Sequence, residues 1–254
     1  MRVFVTRPEN EARRWVHELR QRGIHALFFP LIAVVPAVRT EPLRAAWLAL
    51  DNYRAVMFVS GNAVRHFFGH RPAAARWPQQ TRAWATGTGT CQALLEAGID
   101  GSLVDSPAPQ AAQFDSETLW QRVAGQVRPG DTVLIVRGGD ASGQAAGRDW
   151  LADQVGAAGA QVQTVVAYVR AIPELDAGQL ALARDGATGG VWLFSSSQAI
   201  AHLQALLPDQ EWRAARAVAT HPRIAQAARR AGFGVVCESR PSVDAVVAAL
   251  ESFG

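Results

Sequence analysis

Short runs of β-branched and aromatic residues alternate along this chain with longer stretches in which apolar positions recur every three to four residues. The first pattern marks strands buried on both faces, the second helices packed against a sheet. Their alternation predicts an α/β fold with parallel sheets. Strands are predicted near residues 2–6, 25–29, 55–59, 82–86, 102–105, 132–136, 161–165, 190–194, 216–219 and 234–237. Helices fill the intervals, several closing on glycine, as at Gly23, Gly98 and Gly232, because glycine tolerates the left-handed backbone of a helix end. Ten strands exceed one doubly wound sheet in 254 residues, whereas five apiece suit two small domains.

A loose internal repeat points the same way. Ala83-Trp84-Ala85-Thr86-Gly87-Thr88-Gly89-Thr90 and the helix after it reappear as Ala217-Val218-Ala219-Thr220-His221-Pro222-Arg223-Ile224 and its helix. Upstream, Val56-Met57-Phe58-Val59-Ser60-Gly61-Asn62-Ala63-Val64 resembles Trp192-Leu193-Phe194-Ser195-Ser196-Ser197-Gln198-Ala199-Ile200. Repetition over such lengths means a duplicated α/β unit, not a solenoid of short repeats. Two segments break the alternation, Phe29–Pro36 and Val165–Pro173, both extended, β-branched and bounded by proline. Read as crossing linkers, they give two flavodoxin-like domains joined by a two-stranded β linker, one of them discontinuous. Domain one is then residues 1–34 plus 171–254, domain two 37–167, and the linkers about 30–36 and 166–173. Two consecutive halves divided near residue 130 are the simpler alternative.

Composition narrows the chemistry. All 25 basic residues are arginine, so Schiff-base chemistry and a P-loop lysine are excluded. Against 22 acidic residues the net charge is only +3, and pairs such as Arg13-Arg14 lack interleaved aromatics, which argues against nucleic acid as a partner. No apolar run reaches the roughly 20 residues that span a bilayer. The chain enters a strand at once without a signal-like segment, and Cys91 and Cys237 form neither a disulfide framework nor a metal spacing. The expectation is a reduced cytoplasmic protein that does not engage membranes, with monomer as the default.

In open α/β sheets ligands bind beyond the carboxyl ends of the strands. The polar loops fall there: Thr6-Arg7-Pro8, Ser60-Gly61-Asn62, Thr86-Gly87-Thr88, Arg137-Gly138-Gly139, Ser195-Ser196-Ser197 and Thr220-His221-Pro222-Arg223. Together they offer hydroxyls, free amides and guanidinium groups, a set for an anionic ligand held in a cleft between domains. Each has a plainer reading. Ser60, Ser195 and Thr220 precede helices as N-caps would. Gly87-Thr88-Gly89 lacks the third glycine and the acidic residue of a dinucleotide loop, and the glycine-rich stretch Arg137–Gly143 lacks the Lys-Ser/Thr ending of a Walker loop. Tyr168, in the second linker, packs there or projects at the cleft mouth, where a phenol donates a hydrogen bond or a proton.

Taken in order, these pieces resemble the uroporphyrinogen-III synthase family. The matching stretches are Val5-Thr6-Arg7-Pro8, Phe29-Pro30-Leu31-Ile32, Phe58–Val64, Thr86–Thr90, Ser116-Glu117-Thr118-Leu119, Val133–Gly138, Ala167-Tyr168-Val169-Arg170, Phe194-Ser195-Ser196 and His221–Ala225. The resemblance implies two α/β domains joined by a two-stranded ladder. It also implies a lyase that closes the linear tetrapyrrole hydroxymethylbilane with loss of water and inversion of ring D, through an azafulvene and a spiro intermediate, without cofactor or metal. The substrate carries eight carboxylates and arrives by hand-over from hydroxymethylbilane synthase. By the same resemblance Tyr168 is the catalytic candidate. Thr6, Arg7, Ser60, Asn62, Thr86, Gly87, Thr88, Arg137, Gly138, Ser195, Ser196, Ser197, Thr220, His221 and Arg223 are the substrate-binding candidates. Here His221-Pro222-Arg223-Ile224 stands where some relatives carry small hydroxylated residues. A non-catalytic two-domain binding protein and a nucleotide-dependent enzyme are the competing readings; the first lacks a leader or helix-turn-helix, the second a complete fingerprint.

Overall fold

The computed structural model describes residues 1–108, 116–140, 142–145 and 150–253, and its chain divides into two compact units. The first comprises Met1–Ala33 and Ala171–Gly254, the second Val34–Arg170.

The first unit contains β1 (Arg2–Val5), α1 (Glu9–Gln21) and β2 (His25–Phe28), and much later α7 (Ala177–Gly186), β9 (Val191–Phe194), α8 (Ser197–Leu206), β10 (Arg216–Ala219), α9 (Pro222–Arg230), β11 (Val235–Glu238) and α10 (Val243–Glu251). The strands form a parallel sheet in the order β11-β10-β9-β1-β2, which is the flavodoxin order. Alternation along the strands splits the core. Val3, Val5, Val191 and Leu193 face Trp15, Leu19, Val246 and Leu250 of α1 and α10. Phe4, Trp192 and Phe194 face Ala183, Ile200, Leu203, Ala225 and Ala228 of α7, α8 and α9.

The second unit holds β3 (Ala33–Pro36), α2 (Glu41–Leu48), β4 (Ala55–Phe58), α3 (Gly61–Gly69), β5 (Arg82–Ala85), α4 (Thr88–Glu96), β6 (Val104–Asp105), α5 (Ser116–Val123), β7 (Thr132–Gly139), α6 (Trp150–Ala157) and β8 (Gln161–Ala171). Its sheet runs β3-β8-β7-β4-β5-β6. Val56, Phe58, Leu134 and Val136 pack on Leu43, Trp47, Val64, Phe67 and Leu94, while Met57, Trp84, Val133 and Ile135 pack on Leu119, Val123, Leu151 and Val155. Arg82 closes the far edge with a two-pronged ion pair to Asp105, both bonds 2.8 Å.

The run β1-α1-β2-β3-α2-β4-α3-β5-α4-β6-α5 returns as β7-α6-β8-α7-β9-α8-β10-α9-β11-α10, with the long β8 standing for both β2 and β3. Each sheet takes two strands from one copy and the rest from the other: β1 and β2 join β9, β10 and β11, while β7 and β8 join β3, β4, β5 and β6. The helix ends expected at Gly23, Gly98 and Gly232 are present, each glycine at positive φ (76°, 89° and 92°).

Two stretches differ from expectation. Arg137-Gly138-Gly139 is not a loop but the end of β7, paired with Val166, Tyr168 and Val169. The glycines are there for clearance rather than for a turn; Ala141, a little further on, lies outside the described residues. The segment Val165–Pro173 is not separate from the strand before it, because β8 continues unbroken to Ala171.

Candidate functional site

In the second unit the chemistry gathers at a bulge. Arg137 faces Val166 but Gly138 faces Tyr168, so Ala167 is the extra residue of β8. A bulge re-aims the side chains beyond it. Val165, Ala167 and Tyr168 consequently join one core cluster, where strict alternation would turn Tyr168 away from its predecessor. The phenol does not project outward; Tyr168 is 1% exposed.

Around that ring stand groups from α3 and its cap, from β7 and from β8 itself. The Tyr168 hydroxyl lies 3.1 Å from Ser60 Oγ. Ser60 also caps α3, its Oγ accepting the Ala63 N–H at 3.1 Å, so both readings of that serine hold together. From the same strand, the Arg170 guanidinium donates to the Tyr168 oxygen at 3.4 Å. The His66 ring tilts over the phenol with centroids 5.6 Å apart. Beneath it all is Gly138, where a Cβ would lie 2.6 Å from Tyr168 Cζ and 2.9 Å from its hydroxyl oxygen.

Burial, helped by the charge of Arg65 and by His70, lowers the His66 pKa below its ordinary 6.5, so the ring beside Tyr168 is neutral at pH 7. Linkage gives the sign of the consequence. Between the lowered folded value and about 6.5 the unfolded chain holds the proton that the folded chain refuses, so stability falls on acidification through that window. Urea titrations from pH 7.5 to pH 5 should show that loss reduced in His66→Gln, and an unaltered profile would dismiss it.

The other candidates of this unit serve the sheet's upper edge in different ways. Thr86 spends its hydroxyl on the Val59 carbonyl at 3.2 Å, tying the end of β5 to that of β4. Gly87 occupies the N-cap position of α4 without a side-chain cap, and Thr88 opens that helix, exposed. The Asn62 side chain accepts from Arg65 at 2.8 Å. Arg137 is 6% exposed, within β7.

In the first unit Ser195, Ser196, Ser197, Thr220, His221, Arg223 and Ile224 line one cavity of about 350 Å3. Ser196, not Ser195, caps α8 through the Gln198 N–H, and His221, not Thr220, caps α9, its Nδ1 accepting the Arg223 N–H at 3.1 Å. Two helix starts thus open on the cavity, their remaining amides and Arg223 favouring an anion. Thr6 corrects the expectation of a free ligand group. It is 1% exposed, and its hydroxyl donates to the Leu193 carbonyl at 2.7 Å, latching β1 to β9. Arg7 stacks 4.2 Å above Trp15 and donates to Glu11 at 3.0 Å. Its Nε is buried without a hydrogen-bond partner among the described residues. Burial lowers its pKa, Glu11 opposes that shift and Arg14 adds to it.

His66 and Arg170 were absent from the candidates drawn from sequence. Arg170 had a signal, since it stands two residues beyond Tyr168 on one strand. His66 had none, because its approach depends on how α3 meets β8. Among the described residues no group of three or more histidine, cysteine, aspartate or glutamate side chains is placed to hold a metal.

Comparison with known proteins adds a family. The family described as HEM4, uroporphyrinogen-III synthase HemD, matches residues 13–248. A uroporphyrinogen-III synthase of Chlorobaculum parvum is 33% identical over 142 residues, 54% of this chain and 52% of that protein. A porphyrin biosynthesis protein HemD of Ruminiclostridium josui is 30% identical over 137 residues, 53% of this chain and 26% of that one. The chain thus spans about half the length of the first relative and about a quarter of the second. In fold it is similar to the uroporphyrinogen-III synthetase of Helicobacter pylori (TM-score 0.62, 16% identity, all of both chains). A mutant uroporphyrinogen III synthase of Thermus thermophilus is also similar (TM-score 0.57, 16% identity, 99% of this chain and 98% of that one).

Proposed function

Because this chain belongs to the uroporphyrinogen-III synthase family, we propose that it is the lyase that converts hydroxymethylbilane to uroporphyrinogen III. The family match over residues 13–248 carries this reading, and the chemistry of the two strand-end sites supports it. In the reaction the hydroxyl on the ring A methylene leaves as water, giving an azafulvene. The substituted position of ring D attacks, and the spiro intermediate fragments and recloses with ring D inverted. Unaided closure gives the uninverted isomer, so holding one geometry is the larger part of the work.

Tyr168 is the general acid of this scheme. Its proton goes to the departing hydroxyl, and the proton lost by the closing pyrrole restores the phenol. Ser60 and Arg170 both reach the phenol oxygen, and the guanidinium stands where negative charge develops when the proton is given up. Tyr168→Phe is expected to slow turnover roughly tenfold to a hundredfold without abolishing it, since positioning remains. A variant with full turnover would remove the phenol from the mechanism.

Carboxylate recognition falls to Arg223 with the open amides of α8 and α9, and to Arg7, whose buried Nε lacks a hydrogen-bond partner among the described residues. Ser195, Ser196, Ser197, Thr220 and His221 line the same cavity as Arg223 and complete that surface, whereas Thr6 and Arg137 are buried in their sheets. Arg223→Ala should raise KM roughly tenfold at low salt, one charge-assisted contact's worth, and less at high salt. A KM that ignores both changes would free Arg223 of this role.

The protein acts as a cytoplasmic monomer, needs no cofactor, and receives its substrate by transient hand-over from hydroxymethylbilane synthase. Among the described residues no helix is long and apolar enough to cross a membrane, and both cysteines are free. The deciding assay generates hydroxymethylbilane in situ, adds the protein, oxidises the product and separates the isomers. Protein-dependent type III isomer supports the reading, and type I isomer alone rejects it.

A further inference from the structure

The duplication supplies an internal control for a second cavity. Gly98-Ile99 follows α4 as Gly232-Phe233 follows α9, and Trp77 stands in the loop before β5 as Trp212 stands before β10. In the first unit this place is filled. Trp212 stacks on Phe233 with centroids 5.3 Å apart and meets the Trp192 ring edge-on at 5.2 Å, leaving Trp212 2% exposed. In the second unit the smaller Ile99 takes the place of Phe233. Trp77 turns instead onto Phe68, 5.9 Å away and nearly coplanar, and a cavity of about 430 Å3 remains.

Its walls have a definite chemistry. Trp47, Phe68, Trp77 and Ile99 give an apolar floor, and both indole N–H groups are spent, Trp47 on the Phe67 carbonyl and Trp77 on that of Thr81. What they offer a ligand is therefore ring surface. Arg71 and Arg76 stand at the rim, and among the described residues neither guanidinium makes a hydrogen bond or ion pair. The equivalent loop of the first unit carries Asp209 and Glu211 instead. Asp100 also lines the cavity, its carboxylate accepting the Ser102 N–H at 2.8 Å, so two cations face one engaged anion.

We propose that this cavity is a binding site for a planar aromatic carboxylate, its ring stacked on Trp77 and its charge met by Arg71 and Arg76. A pocket of this volume is large enough for a small fused-ring ligand, and arginine pairs with carboxylates at a fixed fork geometry. The site uses none of the residues assigned to the cyclisation and stands whether or not that assignment holds.

Calorimetric titration of the full chain with 2-naphthoate and with neutral 2-naphthamide tests it, alongside Arg71→Gln/Arg76→Gln, Ile99→Phe and Arg223→Ala. Saturable binding of one naphthoate is expected, roughly tenfold tighter than the amide. The double arginine variant should erase that preference, and Ile99→Phe, which copies the filled unit, should remove both ligands while type III isomer formation continues. Because both arginines are exposed, their replacement leaves the fold intact and carries the test even if Ile99→Phe folds poorly. Absence of saturable binding, equal affinity for acid and amide, or binding lost in Arg223→Ala but kept in the double arginine variant would each overturn the proposal.

Discussion

Alanine at position 138 should cut turnover roughly tenfold to a hundredfold, the scale on which small misplacements of a reacting group cost rate. The reason is clearance. A Cβ there would sit 2.6 Å from Tyr168 Cζ, 2.7 Å from Cε2 and 2.9 Å from the hydroxyl oxygen, all too close for real contacts. The ring has little room to retreat, being 1% exposed within the core of the second unit, so the strain moves the hydroxyl off Ser60. Kinetics of Gly138→Ala, Tyr168→Phe and the double variant separate this from a general loss of stability. If the glycine works through the phenol, its replacement costs little more once the hydroxyl is gone. Independent, multiplying losses would show that Gly138 acts on something else, and wild-type turnover in Gly138→Ala would refute the steric argument.

The largest loss of stability is expected from Trp192→Ala. This side chain is fully buried, stacked on Phe4 at 4.4 Å and met edge-on by Phe29 and Trp212. Its indole N–H donates to the Gly186 carbonyl at 3.1 Å. Removing the ring leaves a hole between β9 and the helices α7 and α8 and should cost about 4 kcal/mol. Trp192→Phe keeps a ring in the stack and takes away one of two hydrogen bonds to the Gly186 carbonyl, which still accepts the Gly190 N–H at 3.2 Å, for a cost nearer 1 kcal/mol. Urea unfolding of the two variants measures both, and equal losses would mean that the hydrogen bond, not the packed area, carries the effect.

Much of this fold could be read from residue order alone, where local pattern and tertiary role agree. The apolar runs at Arg2–Val5, Ala55–Phe58 and Val191–Phe194 are strands because nothing in them competes with that outcome. The places that escaped are those where a residue's usual meaning is overridden. Gly138 and Gly139 read as part of a polar loop, yet they extend β7, where an aromatic ring and the Val166 side chain occupy the space a Cβ would take. The direction of Tyr168 followed from a one-residue bulge, which leaves no mark in composition. Only part of the duplication was visible: β4-α3-β5-α4 and β9-α8-β10-α9 still resemble each other, whereas β1-α1-β2 and β7-α6-β8 share topology without shared residues. Near the candidate sites the helix starts were legible, because a polar residue at a strand end is a local capping signal: Ser60 caps α3 as read, while the caps of α8 and α9 fall one residue later than read, on Ser196 and His221. Thr6 and Arg137 were misjudged as accessible groups, since burial is a property of the packed sheet rather than of the loop they opened.

The exchange of strands between the two copies also sets an order for synthesis. The second unit is one uninterrupted stretch, Val34–Arg170, so all its strands have been translated before β9 begins. The first unit has no such freedom. β1 is an inner strand whose neighbour on one side is β9, with Val3 paired to Val191. The β1-α1-β2 segment is therefore made well before its partner strand, its Val3, Phe4 and Val5 uncovered on one flank until β9 follows. Of the two units, the one that holds β1 is thus the later to be completed.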